Sequence, residues 1–141
     1  MYCKLQIIVE DRVINIEAII DTGNFLRDPI TKTPVIVVEK EVLRGVLPDI
    51  IINNLPEIIS GENIDIGNYI SKIRIIPFTS LGKENGLLIG IKADRVFINH
   101  NEESLNLNNV IIGIYNGILS KSNKYSALVG LGMFEEELIT Q

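Results

Sequence analysis

The sequence predicts a mainly β fold, a single domain in the form of a small barrel, and three observations point to it. Isoleucine and valine dominate the apolar residues, and β-branched side chains favour strands. The apolar segments are short, and glycine, proline, asparagine or aspartate interrupts them at frequent intervals. Little of the chain has the period of an amphipathic helix. Short strands with frequent turns, in a chain of 141 residues, are typical of an all-β barrel.

In the first half of the chain, two strands are expected to form a hairpin, at residues 4–9 and 13–20, around a polar turn. The apolar segment 34–39 predicts a buried strand. A short helix is expected at 39–46, and Pro48 ends it because proline cannot continue a helix. Residues 53–72 are rich in loop signals, with two possible short helical turns.

The second half predicts another hairpin, with strands at 73–79 and 86–91 and glycines near the connection. The other elements expected here are strands at 94–99, 109–115 and 127–131, a polar loop around His100, and a C-terminal helix at 133–139. This set of elements leaves strands as the main structure of the domain.

The composition argues against nucleic-acid binding, because the net charge is -5 and no basic stripe stands out. Mean hydropathy is +0.26, which fits either a tight β core or an apolar surface that a partner covers. Cys3 is the only cysteine, so no intrachain disulfide can form and a reducing compartment fits. We expect Cys3 to be a small packed residue rather than a nucleophile.

No apolar stretch reaches the length of a membrane-spanning helix, and the sequence contains no signal peptide. Strand-like sequence follows Met1 directly, so we expect residues 1–141 to be one domain of a longer protein. His100 has no second histidine and no nearby cysteine, so metal binding is not expected.

The triplet Asp21-Thr22-Gly23 carries the most chemical information, and it occurs once, after the apolar end of a predicted strand. A carboxylate can polarise a water or protonate a leaving amine. Threonine can hydrogen-bond to a neighbouring loop, and glycine permits a sharp turn close to the carboxylate. Taken alone, the triplet also fits a plain turn, since aspartate and glycine are turn formers.

In its context, Ala18-Ile-Ile-Asp21-Thr-Gly resembles the active-site strand of the retroviral-type aspartic peptidases. Ala127-Leu-Val-Gly130 resembles their second hallmark, which packs beside the catalytic loop and leads into a helix. The hairpin around residues 77–90 lies where that family has the flap that covers the substrate. The resemblance implies a retropepsin-like half-barrel with a flap hairpin and a short C-terminal helix.

A longer run, Asp21-Thr-Gly-Asn-Phe-Leu-Arg-Asp-Pro-Ile-Thr-Lys-Thr-Pro-Val, resembles the peptidase region of the stage II sporulation protein GA family, and so do residues 76–82 and 127–131. The resemblance implies an aspartic endopeptidase that cleaves the pro-sequence of the sporulation sigma-E precursor. It implies a peptidase domain on the cytoplasmic side of the mother-cell membrane, anchored through an N-terminal region outside residues 1–141. It also implies a secreted forespore signal protein as activator.

The resemblance further implies that Asp21 is catalytic, one per subunit of a homodimer. Thr22 would hold the two carboxylates in register by bonding to the opposite loop, and Gly23 would allow the turn. No metal or cofactor is needed, because two carboxylates that share one proton can activate a water.

Four further polar residues are candidates for a substrate contact or a turn. Asn24 stands where the retroviral enzymes usually have alanine, at a position that contacts substrate. Thr79 and Ser80 are expected to contact substrate, and the only basis for this is their position in the hairpin. Asp28, before Pro29, is most simply an Asx-type turn, and the alternative is a second carboxylate near the cleft.

Two other interpretations stay open at this point. One is a non-catalytic retropepsin-like domain that dimerises or binds a partner, which would stay functional after Asp21→Ala. The other is a β-barrel scaffold in which the triplet has no chemical role. A structure with Asp21 far from any symmetry axis would favour the scaffold, unless the domain is monomeric.

Overall fold

The computed structural model describes residues 1–23, 26–79, 85–130 and 132–134, and these form one nine-stranded sheet with short helical segments. The mainly β fold expected from the sequence is confirmed. The strands are β1 (Tyr2–Val9), β2 (Arg12–Asp21), β3 (Val35–Glu39), β4 (Ile73–Thr79), β5 (Asn85–Ala93), β6 (Arg95–His100), β7 (Glu103–Leu107), β8 (Val110–Tyr115) and β9 (Ala127–Gly130).

The order of strands in the sheet is β4-β5-β8-β3-β9-β2-β1-β6-β7. Two pairs are parallel, β2 with β9 and β3 with β8, and the other pairs are antiparallel. The last strand, β9, therefore lies between β2 and β3. This insertion brings residues 127–130 beside the strand that ends at Asp21.

The sheet closes on itself through the junction of β5 and β6. β5 lies next to β8, and after Asp94 the chain continues into β6, which pairs with β1. Asp94 N–H donates to the Ile8 carbonyl at 3.0 Å, which fixes this corner. The enclosed inner face holds the main core, in which Leu5, Ile7, Ile36, Leu43, Ile98 and Ile112 are wholly buried.

The helical segments are short, as the sequence predicts. They are a 3₁₀ segment at Lys40–Gly45, α1 at Asp49–Ile52, α2 at Leu55–Ile59, a second 3₁₀ segment at Gly67–Ser71, and a helical turn at 132–134. The first corresponds to the helix expected at 39–46. The remaining residues of the expected C-terminal helix lie outside the described residues. Within the described ranges, no helix has both the length and the apolar character needed to cross a bilayer.

The prediction around His100 was wrong, because His100 is the last residue of β6 and pairs with Glu103 at the start of β7. β7 is half-buried, and only Leu105 and Leu107 on it face the core. Two apolar residues give a weak strand signal. Pairing with β6, rather than local preference, makes this segment a strand.

Cys3 is buried in the main core opposite Ala18, as expected for a packed residue. Burial, with a smaller contribution from the charge of Glu17, raises the pKa of its thiol to about 11. The thiolate is therefore disfavoured at neutral pH, which agrees with the expectation that Cys3 is not a nucleophile.

Candidate active site

Asp21 is the last residue of β2, and its carboxylate folds back over the turn that follows. Oδ1 of Asp21 accepts a hydrogen bond from the Gly23 N–H at 2.9 Å, which makes an Asx turn. Asp21 is half-buried, whereas Thr22 and Gly23 are exposed. A Cβ on Gly23 would lie 3.6 Å from Asp21 Oδ1, an ordinary contact, so the turn by itself leaves space for a side chain.

The end of β9 lies directly beside Asp21. In the parallel pairing of β2 with β9, Asp21 is the partner of Gly130 and Ile19 is the partner of Leu128. A helical turn then begins at residue 132. The segment 127–130 thus packs next to the strand of the triplet and leads into a helix, as the resemblance implied.

The alternation of β2 fixes the side of the sheet on which the Asp21 carboxylate lies. Ala18 and Ile20 are buried in the main core. Successive side chains of a strand point to opposite faces, so Ile19 and Asp21 point away from the main core. Leu128, the neighbour of Ile19 in β9, belongs to a separate apolar cluster on that opposite face.

This outer cluster consists of five buried residues and five partly buried residues around them. The buried members are Val35, Val37, Ile76, Leu88 and Ile111, and the partly buried members are Leu26, Phe78, Tyr115, Leu119 and Leu128. They come from five strands and from the segments before β3 and β9. The outer cluster is therefore an apolar surface, half open, on the same side of the sheet as the Asp21 carboxylate.

Side chains of the β4–β5 hairpin lie flat on this surface because glycines leave space for them. A Cβ on Gly90 would come within 2.9 Å of Ile76 Cγ1, and a Cβ on Gly86 within 2.6 Å of the Phe78 ring. The two strands pair from Ile73–Ile91 to Thr79–Asn85. The described part of the predicted flap is thus attached to the outer cluster.

A buried carboxylate fixes the loop that leads into β9. Glu39 is 8% exposed, and its Oε2 accepts a hydrogen bond from the Leu119 N–H at 2.7 Å. The Glu39 N–H donates to the Ser126 carbonyl at 2.9 Å. Leu119 is thereby positioned as a member of the outer cluster.

Asp28 forms the Asx turn expected from the sequence, since its Oδ1 accepts the Ile30 N–H at 2.9 Å. The residue is 2% exposed, and its Oδ2 faces Arg74 Nε at 3.9 Å. The hydrogen bond from Ile30, helped by Thr31 and by the charge of Arg74, holds the pKa of Asp28 below its usual value although burial opposes this. Asp28 is therefore a buried anion.

The structure keeps Asp21, Thr22 and Gly23 together in one turn. Asn24 and Ser80 lie outside the described residues, as does the side chain of Thr79, so their expected contacts with substrate stay predictions. Among the described residues, no other ionisable side chain forms a hydrogen bond or ion pair with Asp21. In the part of the chain that the structure describes, a single copy of the protein thus presents one carboxylate at this turn.

Three charged residues on or beside the outer face were not predicted from the sequence, and they are Glu39, Arg74 and Lys92. Arg74 and Lys92 each interrupt an isoleucine-rich strand, and the alternation of β4 and β5 could have placed both opposite the main core. Glu39 ends a strand that is buried on both faces, which hides the alternation.

The fold and this turn place the protein among mainly β domains that carry one aspartate at the end of an inner strand. The chain belongs to the peptidase U4 family, described as sporulation factor SpoIIGA, whose model matches residues 1–133. The sequence resemblance to the stage II sporulation protein GA family is thereby confirmed.

Curated relatives agree with this membership. The chain is 34% identical over 128 residues to the sporulation sigma-E factor-processing peptidase of Priestia megaterium, with 89% of this chain and 41% of the relative covered. It is 33% identical to a putative sporulation sigma factor-processing peptidase of Bacillus thuringiensis, with 89% and 80% covered. The Bacillus subtilis sigma-E factor-processing peptidase is 31% identical, with 84% and 40% covered.

The chain spans about two fifths of the length of the Priestia and Bacillus subtilis relatives. No solved structure matches the chain.

Proposed function

We propose that this chain is the peptidase domain of an aspartic endopeptidase that cleaves the pro-sequence of the sigma-E precursor. The relatives named sigma-E factor-processing peptidases support the substrate. The observation that carries the catalytic type is the position of Asp21. Its carboxylate lies in an Asx turn at a strand end, on the same face of the sheet as the half-open outer cluster.

The second carboxylate of the active site would come from a second copy of the chain. Two Asp21 side chains facing each other across a dimer axis cannot both ionise cheaply, so they share one proton. The pair would titrate as a unit rather than as two separate groups. Exposed Thr22 and Gly23 are free to contact the partner's turn, and glycine would be needed there for close approach between the two chains.

In the reaction, the ionised carboxylate takes a proton from a water held between the two Asp21 side chains. That water attacks the scissile carbonyl carbon. The protonated carboxylate donates a hydrogen bond to the developing oxyanion, and the proton then reaches the leaving nitrogen. The products are a carboxyl terminus and a free amine, and the shared proton is restored to the pair.

The substrate would bind as an extended strand over the outer cluster, and the far end of the β4–β5 hairpin would cover it. The half-buried side chains of the outer cluster would receive its apolar residues. In this arrangement Asn24, Thr79 and Ser80 supply polar contacts. Replacing both Thr79 and Ser80 with alanine should raise KM, and an unchanged KM would remove these two residues from the site.

In the cell, the domain would lie at the cytoplasmic side of the mother-cell membrane, anchored by a region outside residues 1–141. A secreted signal protein from the forespore would activate it. Anchoring would raise the effective concentration of the two copies, so the isolated chain would dimerise less readily than the anchored protein.

The test is processing of the sigma-E precursor by the full-length protein, co-produced with its activator. Asp21→Asn keeps an acceptor oxygen for the Gly23 N–H but cannot ionise. We expect it to lower processing by a factor on the order of 10³ or more, because the variant removes the acid and the base together.

Asp65→Asn is the matched control, because Asp65 Oδ1 accepts the Gly67 N–H at 3.0 Å in the same kind of exposed turn. It should process the precursor at the wild-type rate. Processing that survives Asp21→Asn would exclude the catalytic role of Asp21. Binding of the precursor that survives in that variant, with no cleavage by any form, would favour the alternative of a non-catalytic partner-binding domain.

A further inference from the structure

A polar pocket of about 300 Å³ lies at one edge of the outer cluster. Thr31, Thr33, Arg74, Lys92, Asn109 and Ile111 line it. Ile111 belongs to the outer cluster, so the pocket is continuous with the apolar surface described above. The catalytic proposal gives this pocket no role.

The strand register puts the pocket on the Asp21 side of the sheet. Lys92 is the partner of Ile111, and Ile111 is the partner of Val35 in β3. Arg74 stands two residues before Ile76 in β4, so both point to the outer face. The side chains that line the pocket therefore share a face with the Asp21 carboxylate.

An extended peptide over the outer cluster can reach both places. From β2 the sheet continues through β9, β3 and β8 to β5, which is four strand spacings or roughly 19 Å along the sheet. An extended chain covers this length in about six residues, at roughly 3.3 Å per residue. A side chain within about six residues of the scissile bond can thus enter the pocket.

Among the residues that the structure describes, two cations and no carboxylate line the pocket, and one nearby carboxylate, Asp28, pairs with one of the two cations. Arg74 Nε faces the buried Asp28 at 3.9 Å, and its Nη1 makes one long hydrogen bond, at 3.4 Å, to the Ile73 carbonyl. Nη2 of Arg74 has no partner in the described part of the chain, and Lys92 forms no ion pair there. Asp28 thus neutralises one of two cations and leaves N–H donors available to a ligand.

We propose that this pocket binds the carboxylate of an acidic side chain of the peptide substrate, with Arg74 and Lys92 as the charged contacts. Asp28 is a positioning residue, because the negative charge of its buried Oδ2 attracts the guanidinium of Arg74 at 3.9 Å. Thr33 and Asn109 add polar groups to the lining. This subsite rests on the proposed peptidase function, and it adds the class of side chain that the enzyme selects.

The test is a double-mutant cycle between enzyme and precursor, in the full-length protein co-produced with its activator. Each Asp and Glu near the cleavage site, mapped by N-terminal sequencing of the product, is changed singly to Asn or Gln. On the enzyme side of the cycle, the change is the double variant Arg74→Gln/Lys92→Gln. Lys72→Gln/Arg95→Gln removes the same charge from two exposed residues outside this pocket and is the control.

We expect the double variant to process the normal precursor about tenfold more slowly than the wild-type enzyme does. The wild-type enzyme should process one of the Asn- or Gln-substituted precursors more slowly by a similar factor. Combining the two should add no further loss. A folding defect would slow every precursor equally. The ratio of the rates for the normal and the substituted precursor therefore separates a folding defect from the loss of the subsite. Wild-type rates for the double variant, or fully additive losses at every acidic position, would overturn the subsite.

A second measurement does not depend on turnover. Fluorescein-labelled peptides from the cleavage region, with the acid or its amide, are titrated with the Asp21→Asn protein. The acidic peptide should bind about tenfold more tightly, and Arg74→Gln/Lys92→Gln should abolish that difference. An equal Kd for both peptides would overturn the subsite, whereas cleavage that survives Asp21→Asn would overturn only the catalytic proposal.

Discussion

The inner and outer faces of the sheet are built from the same strands but differ in how completely they are closed. In β3, Ile36 and Val38 point into the main core, whereas Val35 and Val37 point to the outer cluster. The inner face is closed by the barrel and by the helical segments. The outer face keeps half-buried apolar side chains beside Asp21. The closed core and the proposed binding surface thus receive alternate residues of one strand.

The largest contrast between the two faces should appear on truncation of an aliphatic side chain. Ile36→Ala leaves a cavity in the closed core and should lower the free energy of unfolding by about 2–5 kcal/mol. Leu128→Ala, on the half-open face, should cost roughly half of that or less, because less apolar surface is buried there. Urea unfolding measures both costs.

Leu128→Ala should instead raise KM for the precursor, because Leu128 belongs to the surface over which the substrate is proposed to lie. Equal losses of stability at the two positions, with no change in KM, would show that the outer face is as closed as the inner one. The comparison of the two faces would then fail.

The pKa of Cys3 offers a test of how well the inner face excludes water. Its thiol has a pKa raised from 9.0 to about 11. The unfolded chain releases the proton first, so stability is fully present below pH 9 and falls as the pH rises toward 11. The loss should reach about 2–3 kcal/mol, and Cys3→Ala should lack this part of the pH dependence. Identical slopes for both proteins would mean that water reaches this part of the core.

A smaller loss of stability is expected when a methyl group is added on the outer face. A Cβ on Gly113 would lie 2.9 Å from Val35 Cγ1 and 3.1 Å from Leu88 Cδ1. Gly113→Ala should therefore lower stability by about 1–3 kcal/mol, measured by thermal unfolding. The companion variant Val35→Ala/Gly113→Ala makes space for the new methyl group. It should be more stable than the sum of the two single changes predicts, and strict additivity would contradict the packing described here.

Most strands could be predicted from the sequence, because their apolar residues are β-branched and turn residues separate them. β7 was missed, because its two leucines give only a weak strand signal and the segment becomes a strand by pairing with β6. The segments at 53–72 were predicted only as possible turns, and α1 was not predicted. Pro48 is the N-cap of α1, so the proline that was expected to end one helical segment also introduces the next.

At the candidate site, the sequence could supply Asp21, Thr22, Gly23 and the partner segment 127–130, because these are contiguous motifs. The Asx turn of Asp28 was also predictable, since it depends on neighbouring residues. Arg74 and Glu39 were not, because each acquires its role from a residue far away in the chain, and Lys92 acquires its role only from the pocket that it shares with Arg74. Arg74 meets Asp28, and Glu39 meets the backbone of Leu119.

The sequence by itself determined the mainly β class, the turn that presents Asp21 and the family of the protein, since these depend on short-range patterns. The tertiary structure alone decided that β9 lies between β2 and β3, which puts Gly130 beside Asp21. It also decided that the Asp21 carboxylate shares a face with the outer cluster and the polar pocket. Strand order and face are set by the closing of the barrel around one core, and no local segment of the chain encodes them.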